Sequence, residues 1–180
     1  MSSERKVISI DNIRSGDLLA WRRDTHSTTS DLFIHGIRAL THQKYGHVGI
    51  AWRCNDSVES ELFVIEATLP KIRVTLLTPD GDFDCVPMDA EWKAESRAFL
   101  LDKLGKPYSI LDAARAFYGM RLKDDQSFQC VELAHYFYRR EGIELDHDFT
   151  PGSFVKSAEH FSGQSAKRVI RAIGNKNENT

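Results

Sequence analysis

The stretch Ser127-Phe-Gln-Cys130-Val-Glu-Leu-Ala-His-Tyr-Phe-Tyr-Arg-Arg-Glu-Gly142 places a cysteine at the start of a predicted helix. Ser127 is a suitable N-cap, and Gly142 is a suitable residue to end the helix. Cys130 then lies in the first turn, where backbone N–H groups have no partners within the helix and the helix dipole favours a thiolate over a thiol. The alternative is a packing role, because Cys130 shares a helix face with apolar residues such as Phe137.

A candidate base for this nucleophile lies in the segment His47-Val-Gly-Ile-Ala-Trp52. A short apolar run of this kind predicts a strand, in which alternation puts His47 on one face with Gly49 and Ala51. The two small side chains leave room for another group to approach His47. His135 is expected to point away from Cys130 on the same helix. The remaining histidines lie in polar or loop-like surroundings and are expected at the surface: His26, His35, His42, His147 and His160.

Glu66 is the candidate partner that orients His47. It shares a strand face with apolar side chains in residues 62–67, and a carboxylate in such surroundings is costly unless it is paired. If residues 47–52 and 62–67 form a hairpin with its tip near Ser57, Glu66 falls almost opposite His47, about 5 Å away. The alternatives are a structural salt bridge and a bulge that turns Glu66 to solvent.

The order of the predicted elements indicates an α+β domain with an antiparallel sheet packed against helices, because strands come first and helices later. No linker or repeat divides the chain, so residues 1–173 are predicted to form one domain, followed by a disordered tail over residues 174–180. The predicted strands cover residues 18–21, 47–52, 62–67, 72–77 and 84–88. The predicted helices cover residues 30–40, 89–104, 109–120 and 127–141, with Asp89 as the N-cap of the second.

Composition and motifs argue against several classes of protein. The chain has 180 residues, and its net charge of −2 gives no reason to expect a nucleic acid or an anionic membrane as partner. Its three cysteines do not make a disulfide framework and fit a reducing compartment. No secretory leader or membrane-spanning apolar run is visible, so a cytoplasmic location is expected. Zinc-ligand spacings and phosphate-binding loops are absent from the sequence, so no metal and no cofactor is expected, and no oligomeric state is predicted.

Residues around Cys130 resemble the nucleophile half of the NlpC-type papain-like cysteine peptidases. In that family a Gly-x-Pro-Tyr segment leads to a cysteine at the start of a helix, which ends before Gly-hydrophobic-x-Leu. The matching segments here are Leu104-Gly-Lys-Pro-Tyr108, Phe128-Gln-Cys130-Val-Glu-Leu133 and Gly142-Ile-Glu-Leu145.

The N-terminal half resembles the rest of the same family, in which a Gly-Asp turn precedes the strand pair that carries the base histidine and its polar partner. The histidine precedes the cysteine here, as in the circularly permuted branch of the superfamily, of which the YiiX-like proteins are an example. The resemblance therefore implies a circularly permuted papain-like (NlpC-like) fold with the nucleophile at a helix N-terminus. The matching segments are Gly16-Asp17-Leu-Leu, Gly46-His47-Val-Gly-Ile50 and Val64-Ile-Glu66-Ala67.

The resemblance implies a cysteine hydrolase that cleaves an amide or peptide bond, with cell-wall peptides or isopeptides as the family's typical substrates. Cys130 would be the nucleophile, His47 the base and Glu66 its orienting partner, with a thioester intermediate. The backbone N–H of Cys130 and the hydroxyl of Tyr108 would stabilise the oxyanion, although Tyr108 could equally be a packing residue. Gln129 stands where ordinary members have an aspartate that recognises a substrate amine, so the substrate contact at this position differs.

Two alternatives use the same fold. One is a thiol acyltransferase or a lipid amide or ester hydrolase, since the lecithin–retinol acyltransferase relatives are also permuted. Those relatives carry Asn-Cys-Glu-His where this chain has Gln129-Cys130-Val-Glu132. The other alternative is a catalytically inactive binding module. Rapid alkylation of Cys130 at neutral pH distinguishes an enzyme from a binding module, because only a thiolate reacts fast.

Overall fold

The computed structural model describes residues 7–22, 44–54, 61–77, 83–109 and 127–170 of the chain. Within these residues, seven strands form one sheet, α2 and α3 pack against the sheet, and α1 packs against α2. The strands are β1 (Val7–Ser9), β2 (Leu18–Arg22), β3 (Tyr45–Arg53), β4 (Leu62–Ala67), β5 (Ile72–Leu76), β6 (Phe83–Val86) and β7 (Lys167–Ile170). The helices are α1 (Ala94–Lys103), α2 (Cys130–Glu141) and α3 (Pro151–Ser162), and a 3-10 turn covers Ile10–Asn12.

The strand order is β1-β7-β6-β2-β3-β4-β5, and every neighbouring pair is antiparallel except β1 with β7, which is parallel. The predicted α+β class, with an antiparallel sheet packed against helices, is therefore confirmed. All five predicted strands are present, and their ends lie within two residues of the predicted ends.

Both faces of the sheet are buried, which explains the apolar runs in its central strands. On the helix side, Leu18 and Ile50 lie in a core that includes Phe137 of α2. The alternate strand positions, such as Leu19 and Val64, lie in a second core on the other face. Consecutive residues of these strands therefore pack alternately into the two cores.

Helix α2 begins two residues later than predicted, because Gln129 and not Ser127 is its N-cap. The Gln129 side-chain oxygen accepts a hydrogen bond from the Val131 N–H at 3.1 Å. The Glu132 carboxylate accepts the Gln129 N–H at 3.5 Å in return. This capping box makes Cys130 the first residue of the helix rather than the third.

The predicted helix over residues 89–104 is wrong at its start, since Lys93 and not Asp89 is the N-cap of α1, four residues later. Trp92 has a φ angle of 58°, a left-handed conformation that an α-helix does not allow, so the helix can begin only after it. The predicted ends of both helices are confirmed. Gly105 follows α1 and Gly142 follows α2, and both have positive φ angles.

Strands β1 and β7 and helix α3 are missing from the predicted elements. The start of α3 does carry a sequence signal, since Thr150 caps it by accepting the Ser153 N–H and Pro151 occupies its first turn. The predicted features that lie outside the described residues are the helix over 30–40, the helix over 109–120 apart from Ser109, and the tail over 174–180.

Candidate active site

Strands β3 and β4 carry the predicted base and its partner. The hairpin pairing of these strands is confirmed, and its predicted tip lies outside the described residues. The ladder ends at the pair of Ile50 with Ile65, although both strands continue. His47 and Glu66 lie just beyond this last pair, where the backbone pairing of the two strands ends. We call this place the fork.

His47 and Glu66 contact each other directly in the fork. His47 Nε2 lies 2.7 Å from Glu66 Oε2, and both side chains are buried. One correction concerns the register. Continuing the ladder places Gly49, not His47, opposite Glu66, so the histidine and the carboxylate are diagonal neighbours on one sheet face.

Gly49 makes this close approach possible. A Cβ atom at Gly49 would lie 2.5 Å from Cγ2 of Val64 and 3.3 Å from the backbone oxygen of Ile65. The room predicted beside His47 is therefore filled by β4 itself. Strand β4 comes near enough for Glu66 to reach the imidazole.

Cys130 enters the fork from the helix side of the sheet. A hydrogen bond joins its side chain to His47, and the backbone N–H groups of Val48 and Val131 donate to Sγ. Because Nε2 of His47 faces Glu66, Nδ1 is the ring nitrogen left for the thiol. The structure thus brings together the three predicted triad residues, which are far apart in sequence.

Hydrogen bonding in the fork favours a thiolate and an imidazolium. Burial alone raises the pKa of the Cys130 thiol, but the hydrogen bond and charge of His47 and the two backbone donors lower it below its ordinary value. Burial alone lowers the pKa of His47, but its bonds to Cys130 and Glu66 raise it above its ordinary value. Both shifts favour the same state, an ion pair of thiolate and imidazolium.

Glu66 remains ionised beside this pair. Burial raises the pKa of its carboxyl group, but His47 and Arg73 outweigh burial and bring the pKa to about 2. Arg73 Nε donates to Glu66 Oε1 at 2.9 Å, and the Thr75 hydroxyl donates to the same oxygen at 3.4 Å. Each carboxylate oxygen therefore has its own partners, with Oε2 facing the base and Oε1 facing β5.

Contacts with the neighbouring strands hold His47 in place. Trp21 pairs with His47 across the β2–β3 ladder, and the two ring centroids lie 5.3 Å apart. Two residues before His47, the Tyr45 hydroxyl donates to the buried Asp84 carboxylate at 2.7 Å. The strand that carries the base is thus fixed at its start, and the imidazole is packed against an aromatic ring.

Gln129 lies beside the predicted nucleophile, and Tyr108 lies beside the segment that leads to it. Gln129 is buried, its oxygen lies 3.7 Å from Cys130 Sγ, and its nitrogen donates to the Phe149 carbonyl at 3.2 Å. Tyr108 is half-buried, and its backbone pairs with Phe128, two residues before Cys130. Gln129 is therefore engaged by protein groups, while the roles of both residues toward a substrate stay predictions.

The other two cysteines lie in different environments. Cys54 is exposed at the end of β3, whereas Cys85 is fully buried in β6. Burial and the nearby charge of Asp17 raise the pKa of the Cys85 thiol well above its ordinary value. Cys130 is thus the cysteine whose surroundings favour the thiolate.

The remaining histidines form no part of the fork as the structure describes it. His135 Nδ1 lies 2.9 Å from His147 Nε2, and His147 Nδ1 accepts the Phe149 N–H at 3.0 Å. His147 is therefore half-buried and paired rather than a surface residue, because the chain folds it onto α2. His160 is exposed as predicted, and His26, His35 and His42 lie outside the described residues.

The described part of the chain shows neither a metal-binding cluster nor a membrane-spanning helix. It holds no group of three or more His, Cys, Asp or Glu side chains placed to bind a metal ion. Each of its helices is too short or too polar to cross a membrane.

The site also contains groups that the sequence analysis does not name. Trp21 and the backbone N–H of Val48 give no sequence signal, because only the pairing of β3 and the arrival of α2 place them near His47 and Cys130. Arg73 does give one, since it stands opposite Glu66 in the β4–β5 ladder. Pairing the predicted strand over residues 72–77 with the strand of Glu66 would place Arg73 beside Glu66.

Neither the comparison with protein-family models nor the comparison with curated proteins found a match to this chain. The functional interpretation therefore depends on the geometry and chemistry of the fork.

Proposed function

We propose that the protein is a cysteine hydrolase that cleaves an amide or peptide bond through a thioester intermediate. The observation that carries the proposal is the buried hydrogen-bonded chain of Cys130, His47 and Glu66. Burying ionised groups costs folding free energy even when they are paired. Groups whose pKa values are strongly shifted by specific partners concentrate at active sites. A non-catalytic packing cysteine would require neither the base nor its carboxylate.

The first half of the reaction forms the thioester. The Cys130 thiolate attacks the carbonyl carbon, a C–S bond forms, and the carbonyl electron pair moves to oxygen. The Cys130 N–H has no partner within α2, because Cys130 is the first helical residue, and it would donate to this oxyanion. Collapse of the intermediate breaks the C–N bond, and the leaving amine takes its proton from the His47 imidazolium.

The second half of the reaction consumes water. Neutral His47 accepts a proton from a water molecule as its oxygen attacks the thioester carbonyl. Collapse of the second intermediate breaks the C–S bond, releases the carboxylic acid, and restores the thiolate and the imidazolium. Glu66 holds the ring so that Nδ1 faces the thiolate, and its charge stabilises the imidazolium.

The circularly permuted papain-like fold belongs to the same proposal. The strands that carry His47 and Glu66 precede the helix that begins with Cys130, which is the chain order that the permuted branch implies. The antiparallel sheet with a nucleophile helix packed on it is consistent with that fold.

A substrate screen tests the proposal. The protein at pH 7 is incubated with cell-wall peptides, isopeptide-linked peptides and acyl lipids, and both the released amine or alcohol and any acyl adduct on Cys130 are measured. Product release that is lost in Cys130→Ala and kept in Cys54→Ala would support the hydrolase and name its substrate class. Cys54 is the matched control because it is an exposed cysteine.

Two outcomes of the screen would contradict the proposal. An acyl group that passes to an added amine or alcohol and never to water would assign an acyltransferase instead. Product release that persists in Cys130→Ala would remove Cys130 from the role of nucleophile.

A further inference from the structure

We propose that Arg73 is a positioning residue of this site, which holds the Glu66 carboxylate so that one oxygen is presented to His47. The inference rests on the proposed function, since it assigns Arg73 a role in activating the same nucleophile. Nothing in the sequence resemblance assigns a role to Arg73.

The two carboxylate oxygens of Glu66 contact different partners. Arg73 lies opposite Glu66 in the β4–β5 ladder, so its side chain emerges on the same face of the sheet. Its Nε donates to Oε1 at 2.9 Å, whereas His47 Nε2 lies 2.7 Å from Oε2. The Glu66 side chain is 6% exposed and that of Arg73 is 49% exposed, so the guanidinium covers the outer side of a buried carboxylate.

This contact limits rotation of the carboxylate. The terminal torsion of a glutamate is broad, so a carboxylate held at only one oxygen can turn away from its partner. With Oε1 bound to Arg73, the plane of the carboxylate is set and Oε2 remains directed at His47. In the absence of Arg73, the Thr75 hydroxyl at 3.4 Å would be the donor left to Oε1 among the contacts described here.

The charge of Arg73 has a second, measurable effect. The charged groups that shift the pKa of His47 are Cys130 of α2 and Glu66 of β4. Those that shift the pKa of Glu66 are His47 of β3 and Arg73 of β5. Removing a positive charge raises the pKa of every titrating group near it. Loss of Arg73 should therefore move the acid limb of a pH–reactivity profile, which reports on Cys130, to higher pH. On the basic limb the lost positive charge raises the pKa of His47, while release of the Glu66 carboxylate lowers it. Because Arg73 is half-exposed, the shift should be modest and should shrink in salt.

The test is the rate of Cys130 alkylation by iodoacetamide between pH 4 and pH 10, read by mass spectrometry. The variants are Arg73→Met, which removes charge and donor, Arg73→Gln, which removes the charge and keeps a donor, and Arg73→Lys, which keeps the charge. Arg97→Met is the control for loss of one positive charge, since Arg97 is an exposed residue of α1. This measurement needs no substrate.

We expect the acid-limb midpoint of Arg73→Met and of Arg73→Gln to rise by about half a pH unit in low salt, and by less at high ionic strength. Arg73→Lys and Arg97→Met should keep the wild-type midpoint. Midpoints are compared only among variants that are folded across the pH range, and Arg73→Gln serves if Arg73→Met does not fold. In a Glu66→Gln background, Arg73→Met should change the maximal rate less than about twofold, because Arg73 acts through the carboxylate.

An unchanged or lowered midpoint in Arg73→Met and Arg73→Gln would overturn the role of Arg73. A wild-type Cys130 that is inert at pH 6 would instead overturn the proposed function. The two failures are thus distinguishable in the same experiment.

Discussion

His47 stands between two acidic partners, the Cys130 side chain and the Glu66 carboxylate. Each residue alone gives an ambiguous sequence signal, because a cysteine on an apolar helix face and a histidine in an apolar strand are both common in cores. The buried carboxylate resolves the ambiguity, since a glutamate among apolar side chains requires a partner. The same argument does not identify Arg73, because a half-exposed arginine on a strand needs no buried partner.

Removing either reacting group should abolish nearly all turnover. We expect Cys130→Ala and His47→Ala each to lower kcat/KM by about a thousandfold or more. The two residues act as a unit, so the double variant should be no slower than the slower single variant. Steady-state hydrolysis of the substrate identified by the screen measures this. Multiplicative losses in the double variant would mean that the two residues act independently.

Replacing the carboxylate should cost less and should change the pH profile. In Glu66→Gln the amide oxygen can still accept the imidazole N–H, but the negative charge is lost, so we expect a loss in kcat on the order of a hundredfold. The charge of Glu66 helps to raise the pKa of His47, so its removal lowers that pKa. The basic limb of the kcat profile should then move to lower pH. A basic limb that stays in place or rises would contradict the role of Glu66.

At the scale of elements, the fork combines the end of the β3–β4 ladder with the start of α2. Alternation of apolar residues predicted β3 and β4, but the register depends on a turn that alternation does not describe, so Glu66 was expected opposite His47 rather than diagonal to it. The start of α2 was misplaced for a related reason. Ser127 ranks above Gln129 as an isolated N-cap, whereas the observed box depends on the reciprocal contact of Glu132.

The close packing of β3 on β4 can be tested at Gly49. Because a Cβ at Gly49 would overlap Val64 and press on the backbone of β4, we expect Gly49→Ala to displace Glu66 and to lower activity more than about tenfold. Overpacking of this kind typically costs about 1–3 kcal/mol of unfolding free energy. Denaturant unfolding and steady-state kinetics measure the two effects.

Gly142→Ala is the matched control for this substitution. Gly142 has a φ of 82° and no atom close to its would-be Cβ, so the variant should lose about 1 kcal/mol through backbone strain. Because Gly142 follows the far end of α2 from Cys130, kcat per folded molecule should be unchanged. If both variants lost kcat alike, the effect would be general destabilisation and not displacement of β4.

At the scale of the whole molecule, the site draws on both the helices and the sheet. Helix α2 supplies Cys130, while β3 and β4 supply His47 and Glu66 just beyond the last pair of the β3–β4 ladder. The fold class could be predicted from the order of strands and helices. The strand order and the parallel pair of β1 with β7 could not, because they depend on contacts between distant segments of the chain.

Asp17 is a buried carboxylate that should make the stability of the protein depend on pH. Its carboxylate accepts the N–H groups of Arg14 at 2.8 Å and of Met88 at 3.0 Å, while burial raises its pKa to about 6. Because the pKa of Asp17 is higher in the folded than in the unfolded protein, the stability that Asp17 contributes is lost as the pH rises through its folded-state pKa. The unfolding free energy of the wild type minus that of Asp17→Asn should therefore fall by on the order of 2 kcal/mol between pH 4 and pH 7. Urea unfolding at both pH values checks this, and a constant difference would refute it.

If His47 and the helix start hold Cys130 as a buried thiolate, Cys130 should be alkylated rapidly at pH 6. Mass-spectrometric mapping in the folded protein should find Cys130 labelled faster than the more exposed Cys54, with Cys85 unlabelled. His47→Ala should slow Cys130 to the rate of an unassisted thiol. A folded wild-type protein in which Cys130 is inert at pH 6, or reacts as fast without His47, would contradict the account.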